Sequence, residues 1–246
     1  MNYIEINKKA YDILAPFYEE QQRQADAADH GGLFKLVPKL LKNGRMLGFH
    51  EIDASNYRKE ILFTDLIAGQ PKNPKMLDIG VAIGYVMRYF ADMGYKTTGV
   101  DLSSRMCEVA GKISPESEIF PGNIFDRDFP AEQFDVITMM SLLCQLPIED
   151  ARELLERVKT WLKPTGCIYV STSVEKNKKS GIFSKKTLGF SKLKDQKIQR
   201  FRTNYTLEAF IDLIESSGFE ILMPFLIKDK SKTNRVFQGY ICRVKS

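Results

Sequence analysis

Three polar residues stand where short apolar runs end: Asp78, Asp101 and Asn123. In Met76-Leu-Asp-Ile-Gly-Val-Ala-Ile-Gly-Tyr85 an apolar run passes into a helical pattern through a turn that carries Gly80, Ala82 and Gly84. Small residues let a backbone approach a ligand closely, and the unpaired N–H groups at a helix start favour its anionic part. The next apolar run, Lys96-Thr-Thr-Gly-Val-Asp101, ends in an acid about twenty residues after the glycines, where a carboxylate can accept hydrogen bonds from both hydroxyls of a ribose. Gly122-Asn123-Ile124 then sets an amide and an apolar side chain where an adenine ring could be recognised. Taken singly, each has a bland reading: the turn as a tight strand-to-helix connection with no ligand, Asn123 as a turn residue.

The elements that must position these groups follow from hydrophobic periodicity. Strands are predicted at Lys75–Ile79, Lys96–Asp101, Ser117–Pro121, Phe134–Met140 and Gly166–Ser173, with helices at Gly84–Met93, Arg105–Ile113 and Ile148–Leu162 between them. Such alternation implies parallel βαβ units covered on both faces. A helix over Leu207–Ser217 stops at Gly218, and strands Phe219–Ile227 and Arg235–Val244 follow, joined by a polar stretch short enough for an antiparallel hairpin. Upstream, helices are expected over Glu5–Glu20, Leu33–Lys42 and Asn56–Ile67, before Gly69-Gln-Pro-Lys-Asn-Pro-Lys75 breaks the pattern. The chain therefore divides into an N-terminal helical cap, 1–72, and a sheet domain, 73–246, with a mobile basic loop over 175–203.

Composition narrows the class. In 246 residues, 36 Lys and Arg face 31 Asp and Glu, a net +5, and no apolar run nears the ~20 residues of a transmembrane helix. The N-terminus lacks a basic flank and apolar core of a secretory signal, so a cytoplasmic protein without membrane contact is expected. Cys107, Cys144, Cys167 and Cys242 form no CxxC pair, and there are only two histidines, His30 and His50, so neither a disulfide framework nor a metal site is expected. Ten of the basic residues fall in Lys176–Arg202 against one acid, Asp195, which leaves the rest of the chain net acidic. The charge is read as one solvated basic loop, or as a lid attracting an anionic acceptor, rather than as a nucleic-acid surface.

Leu77-Asp78-Ile79-Gly80-x-x-x-Gly84, Val100-Asp101-Leu102-Ser103, Gly122-Asn123, Phe134-Asp135-Val136-Ile137 and Leu162-Lys163-Pro164-x-Gly166 occur in the order that resembles the class I S-adenosylmethionine-dependent methyltransferases of small-molecule type. Tyr11-Asp12-x-x-Ala15-x-x-Tyr18 resembles the helix that many such proteins place over the cofactor. The resemblance implies a Rossmann-like α/β fold with a seven-stranded, mostly parallel sheet in the order 3-2-1-4-5-7-6, strand 7 antiparallel. It implies S-adenosyl-L-methionine as cofactor, with S-adenosyl-L-homocysteine as product. Gly80, Ala82 and Gly84 would flank its methionine part and ribose, Asp78 its amino group and Asp101 the ribose. Leu102, Asn123 and Ile124 would hold the adenine, Met139, Met140 and Ser141 would floor the site near the sulfonium, and Tyr18 would close it. Three positions depart from the pattern: Ala82 replaces the middle glycine, Asn123 an aspartate, and Gln145 a histidine common after strand 4.

Methyl transfer is an in-line displacement for which a protein supplies mainly alignment and desolvation, with no metal. A hydroxyl acceptor benefits from a general base, whereas an amine needs only to be neutral. Candidate bases are His50, His30 and tyrosines of the cap such as Tyr18; candidate acceptor contacts are Gln145, Arg200 and Arg202. The expected function is methylation of oxygen or nitrogen in a small metabolite, anionic ones included, by a monomer or homodimer. The alternatives are an RNA or DNA methyltransferase and a non-catalytic protein keeping the cofactor fold. Against the first, Thr138-Met139-Met140-Ser141 lacks the Asn/Asp-Pro-Pro-aromatic element and Cys144 lacks a preceding proline; Ala82, Asn123 and Gln145 prompt the second. A nicotinamide oxidoreductase fits less well, because Gly80-x-Ala82-x-Gly84 is not G-x-G-x-x-G.

Overall fold

Continuous burial marks the central strands. In Lys75–Ile79 (β3) all residues after the first are buried, and in Phe134–Met140 (β6) all but the last, as expected of parallel strands covered on both faces. The computed structural model describes residues 2–25, 35–53, 64, 67–69, 71–177, 179–186, 197–228 and 235–245. The remaining strands are Lys35–Leu40 (β1), Met46–Asp53 (β2), Lys96–Asp101 (β4), Glu118–Pro121 (β5), Leu162–Ser173 (β7), Lys179–Lys186 (β8), Lys197–Asn204 (β9), Phe219–Lys228 (β10) and Val236–Val244 (β11). The helices are Tyr3–Ala25 (α1), Tyr85–Asp92 (α2), Ser104–Ile113 (α3), Ile148–Trp161 (α4) and Leu207–Ser216 (α5).

Seven strands stand in the order β5-β4-β3-β6-β7-β11-β10, with β11 antiparallel to both neighbours, which is the expected 3-2-1-4-5-7-6 sheet. Two more extend it: β2 pairs parallel to β10 and β1 antiparallel to β2, giving nine strands. The helix expected over Leu33–Lys42 is thus replaced by β1. Lys-Leu-Val-Pro-Lys-Leu puts Leu36, Pro38 and Leu40 at every second position, a strand period, and Pro38 is tolerated because β1 is the sheet edge. The helix expected over Asn56–Ile67 lies outside the described residues except at Thr64 and Ile67, both helical. Within the basic stretch expected as a mobile loop, β8 and β9 form an antiparallel pair, Lys179 opposite Asn204 through Lys186 opposite Lys197.

Alternate residues of each central strand feed different layers. Leu77, Ile79 and Ile137 pack with Trp161 of α4 and Phe210 of α5, while Met76 and Val136 pack with Met87 and Phe90 of α2. A third cluster joins Ala10 and Leu14 of α1 to Met106 and Val109 of α3 and Ile198 of β9. That cluster holds α1 across the C-terminal edge of the parallel strands. Among the described residues, no helix is long and apolar enough to cross a membrane, and no cluster of His, Cys, Asp and Glu could hold a metal ion.

Candidate functional site

The turn after β3 is tied to the end of β4. Gly80 N–H donates to Val100 O at 2.8 Å, Ala82 N–H to Asp101 Oδ2 at 2.9 Å and Ser103 N–H to Asp101 Oδ1 at 2.8 Å. Gly80, Ala82 and Gly84 all have positive φ, 82°, 48° and 86°. At Gly84 the reason for glycine is also steric: a Cβ would sit 2.9 Å from Ala110 Cα, where the turn presses on α3. Gly84 consequently packs against that helix and does not line the cavity described below.

Burial raises the Asp101 carboxyl to about 6; the two backbone N–H donors oppose the rise, and the like charge of Asp12 adds to it. Asp78 is 2% exposed and accepts from Thr138 Oγ1 at 2.6 Å. Its pKa is raised to about 7, chiefly by burial, with the Thr138 bond opposing and Asp101 pushing in the same direction. The end of β5 joins them through Gly122 N–H, which donates to Asp101 O at 2.8 Å. Asn123 caps the short turn that follows, Phe125 N–H donating to its Oδ1 at 3.3 Å, so one lone pair of the amide oxygen serves the fold.

These groups line a cavity of about 800 Å³ together with Tyr18, Leu102, Ile124, Met140, Ser141 and Gln145. The volume falls in the range of small-molecule sites. Met139, expected on the floor, is fully buried and packs into the core beneath, because the strand period sends it to the face opposite Met140. Ser141 turns the chain out of β6 with φ 54°, its N–H donating to Ser171 O at 2.9 Å. His50 does not line the cavity: it sits within β2, its ring 5.6 Å from that of Phe225 on β10. His30 lies outside the described residues.

Arg200 and Arg202 stand behind the lining. The Arg200 guanidinium lies 5.8 Å from the Tyr11 ring centroid and donates to its hydroxyl at 3.5 Å; Arg202 donates to Ser173 Oγ at 3.0 Å. Lining residues that sequence reasoning did not assign include Asn7 on α1 and Ser171, Ile227 and Phe237 at strand ends, while Tyr3 and Tyr11 on α1 entered it only as tyrosines of the cap and, for Tyr11, as part of the helix motif. Tyr3, Asn7, Tyr11 and Tyr18, spaced by four, four and seven, share one helical face, a signal present in the sequence. Asn7 ties three elements together: its Nδ2 donates to Gln145 O at 2.9 Å, and Phe201 N–H of β9 donates to its Oδ1 at 2.9 Å.

Strand order sets the polarity of the cavity. Asn123, Asp101 and Asp78 occupy the ends of β5, β4 and β3, while Ser141, Ser171, Phe237 and Ile227 follow at β6, β7, β11 and β10. One half can thus receive a diol and a cation, against a buried carboxylate whose ionisation a cation would favour. The other half is predominantly apolar.

A family model described as a methyltransferase domain matches residues 77–170. Phosphoethanolamine N-methyltransferase of Plasmodium falciparum is 28% identical over 153 residues, 61% of this chain and 54% of that protein. Ubiquinone biosynthesis O-methyltransferase of Actinobacillus pleuropneumoniae is 33% identical over 111 residues, 40% of this chain and 45% of that one. The chain thus spans about half the length of these relatives. Among solved structures, the DhpI–SAH complex superposes over 98% of this chain and 97% of its own, with a TM-score of 0.60 and 14% identity, a likeness of fold.

Proposed function

We propose that the chain is a class I S-adenosylmethionine-dependent methyltransferase, a reading supported by its fold and by the domain match over residues 77–170, and that it methylates an oxygen or nitrogen of a small, anionic molecule. The observation that carries the reading is the meeting of Asp78, residues Gly80 to Ile83 of the turn and Asp101 in one cavity of about 800 Å³. Bound there, S-adenosyl-L-methionine supplies a methyl group already activated on a sulfonium.

In this reading Asp101, held by two backbone N–H groups, accepts from the ribose hydroxyls. Asp78 pairs with the α-amino group, which relieves the cost of its burial. Leu102, Asn123 and Ile124 surround the adenine, Met140 and Ser141 lie beneath the transferring group, and Tyr18 closes the site from α1. Residues 1–72 contribute α1 as the roof, excluding water from the reacting atoms. Arg200 and Arg202 supply the positive field that favours an anionic acceptor, and Gln145 contacts it.

Isothermal titration with S-adenosyl-L-homocysteine, and with NAD as a control, tests the core of this reading. Saturable binding of the first and none of the second is expected; the reverse result overturns it. Transfer of label from methyl-labelled cofactor to a panel of small acceptors tests the reaction.

A further inference from the structure

The wall at the β5 end of the cavity is held from outside. Asn123 and Ile124 line the cavity, and from them the chain runs on toward β6 through the short turn Ile124–Asp126. So short a turn ends before its carbonyls can all find partners within it. Arg157 of α4 supplies donors: its Nη1 donates to Phe125 O at 2.9 Å and to Ile124 O at 3.5 Å, and its Nη2 donates to Arg127 O. Arg157 itself does not line the cavity.

The guanidinium is fixed in its turn by aromatic neighbours. It stands over the Trp161 ring, 5.1 Å from the centroid, and over the Phe125 ring at 6.0 Å. Trp161, one helical turn further along α4, donates from Nε1 to Asp128 Oδ1 at 2.9 Å, and its ring meets that of Phe129 edge-on at 5.2 Å. Two residues on one face of α4 therefore pin the segment 124–129. A planar guanidinium fork can meet several carbonyls in one fixed geometry, which the point charge of a lysine cannot do. Its charge also makes each such bond about twice as strong as a neutral one.

The turn decides where the ligand-facing groups sit. The Asn123 amide oxygen already accepts from Phe125 N–H at 3.3 Å, so the direction of its remaining hydrogen-bonding capacity follows the backbone of the turn. Ile124 both lines the cavity and offers its carbonyl to Arg157. We propose that Arg157 is a positioning residue for the adenine end of the cofactor: by gathering the carbonyls of Ile124, Phe125 and Arg127, it holds Asn123 and Ile124 in the arrangement that receives the ring. The proposal rests on the methyltransferase reading above. Asp78 and Asp101 act on the ligand directly, whereas Arg157 acts through the backbone of the wall. Such support strengthens binding because a wall free to move spends part of the interaction energy on its own ordering.

Titration calorimetry of the full chain with S-adenosyl-L-homocysteine tests the proposal. Arg157→Met should weaken binding about tenfold, the order of one lost hydrogen bond to a charged group. Because Arg157 acts through the wall, its effect should shrink once the wall is truncated: below about threefold in an Ile124→Ala background, but undiminished in an Asp78→Asn background. Hydrogen exchange adds a readout that general destabilisation does not give. Amides of residues 123–129 should exchange about tenfold faster in ligand-free Arg157→Met, with those of β3 and β6 unchanged. Arg157→Gln, which also lacks the fork, should show the same pattern and replaces Arg157→Met if that variant does not fold. An unchanged affinity, an equal loss in the Ile124→Ala and Asp78→Asn backgrounds, or exchange that quickens throughout the sheet overturns the proposal while leaving the methyltransferase reading intact. Failure of the wild-type protein to bind S-adenosyl-L-homocysteine overturns that reading, and the proposal with it.

Discussion

Replacing Asp78 by Asn isolates the charge at the centre of the site. The Asp78 carboxyl titrates at about 7 in the free protein, against 3.8 for an unperturbed carboxylate, because burial disfavours its ionised form. A ligand bearing an ammonium group binds the ionised form, so its affinity rises with pH until the carboxyl is deprotonated without help. With a folded pKa of about 7, and full ionisation in the complex, the gain between pH 5.5 and 7.5 is about 25-fold, or ~2 kcal/mol. The α-amino group itself stays largely protonated over that range. The quantity to measure is the ratio of wild-type to Asp78→Asn affinity for S-adenosyl-L-homocysteine by titration calorimetry; taking the ratio removes the separate titration of Asp101 near 6. It should widen about 25-fold from pH 5.5, where both side chains are neutral in the free protein, to pH 7.5. In the free protein the sign reverses. A raised carboxylate pKa gives stability that is greatest below about 4 and is lost as pH rises toward 7, so Asp78→Asn should melt above wild type at pH 8. A ratio that stays constant with pH would refute the argument.

Gly84→Ala should lower stability by roughly 2–5 kcal/mol, from left-handed backbone strain plus overpacking against Ala110, and so lower Tm by about 5–15 °C. Gly94→Ala, at φ 87° but with nothing within 4 Å, should cost only ~1–2 kcal/mol; equal losses by calorimetry would contradict the steric account. Asn7→Ala leaves Phe201 N–H and Gln145 O without their partner, for a cost of roughly 2–4 kcal/mol, with faster amide exchange at Phe201 as the readout. For an anionic acceptor, KM should rise with salt in the wild type, and the double substitution Arg200→Met with Arg202→Met should flatten that slope; an unchanged slope would remove the arginines from acceptor attraction.

The stretch from Lys75 to Ser173 was legible because its chemistry is local. Fully apolar runs must be strands covered on both faces, and the residues that end them are thereby delivered to one edge. Harder to read were segments whose conformation depends on a distant partner. Lys35–Leu40 is a strand because β2 pairs with it and β10 holds β2. The basic stretch became a hairpin whose β9 strand is docked on α1 through Asn7 and Phe201, 194 residues apart in sequence. Composition registered its charge but not that pairing.

By itself the sequence determined the class of fold, the glycine turn and the acids at the ends of β3 and β4, since each is set by residues adjacent in the chain. Parity along β6, which buries Met139 and exposes Met140 to the cavity, was settled by the register against β3 and β7. So was the displacement of His50 from the site, which follows from β2 pairing with β10. Gln145 shows the division most clearly. Its place after β6 could be read from the chain, but its hydrogen-bonding polarity depends on Cys144 and Arg202 meeting beside it, a contact between residues 58 apart that exists only once the sheet and hairpin have closed.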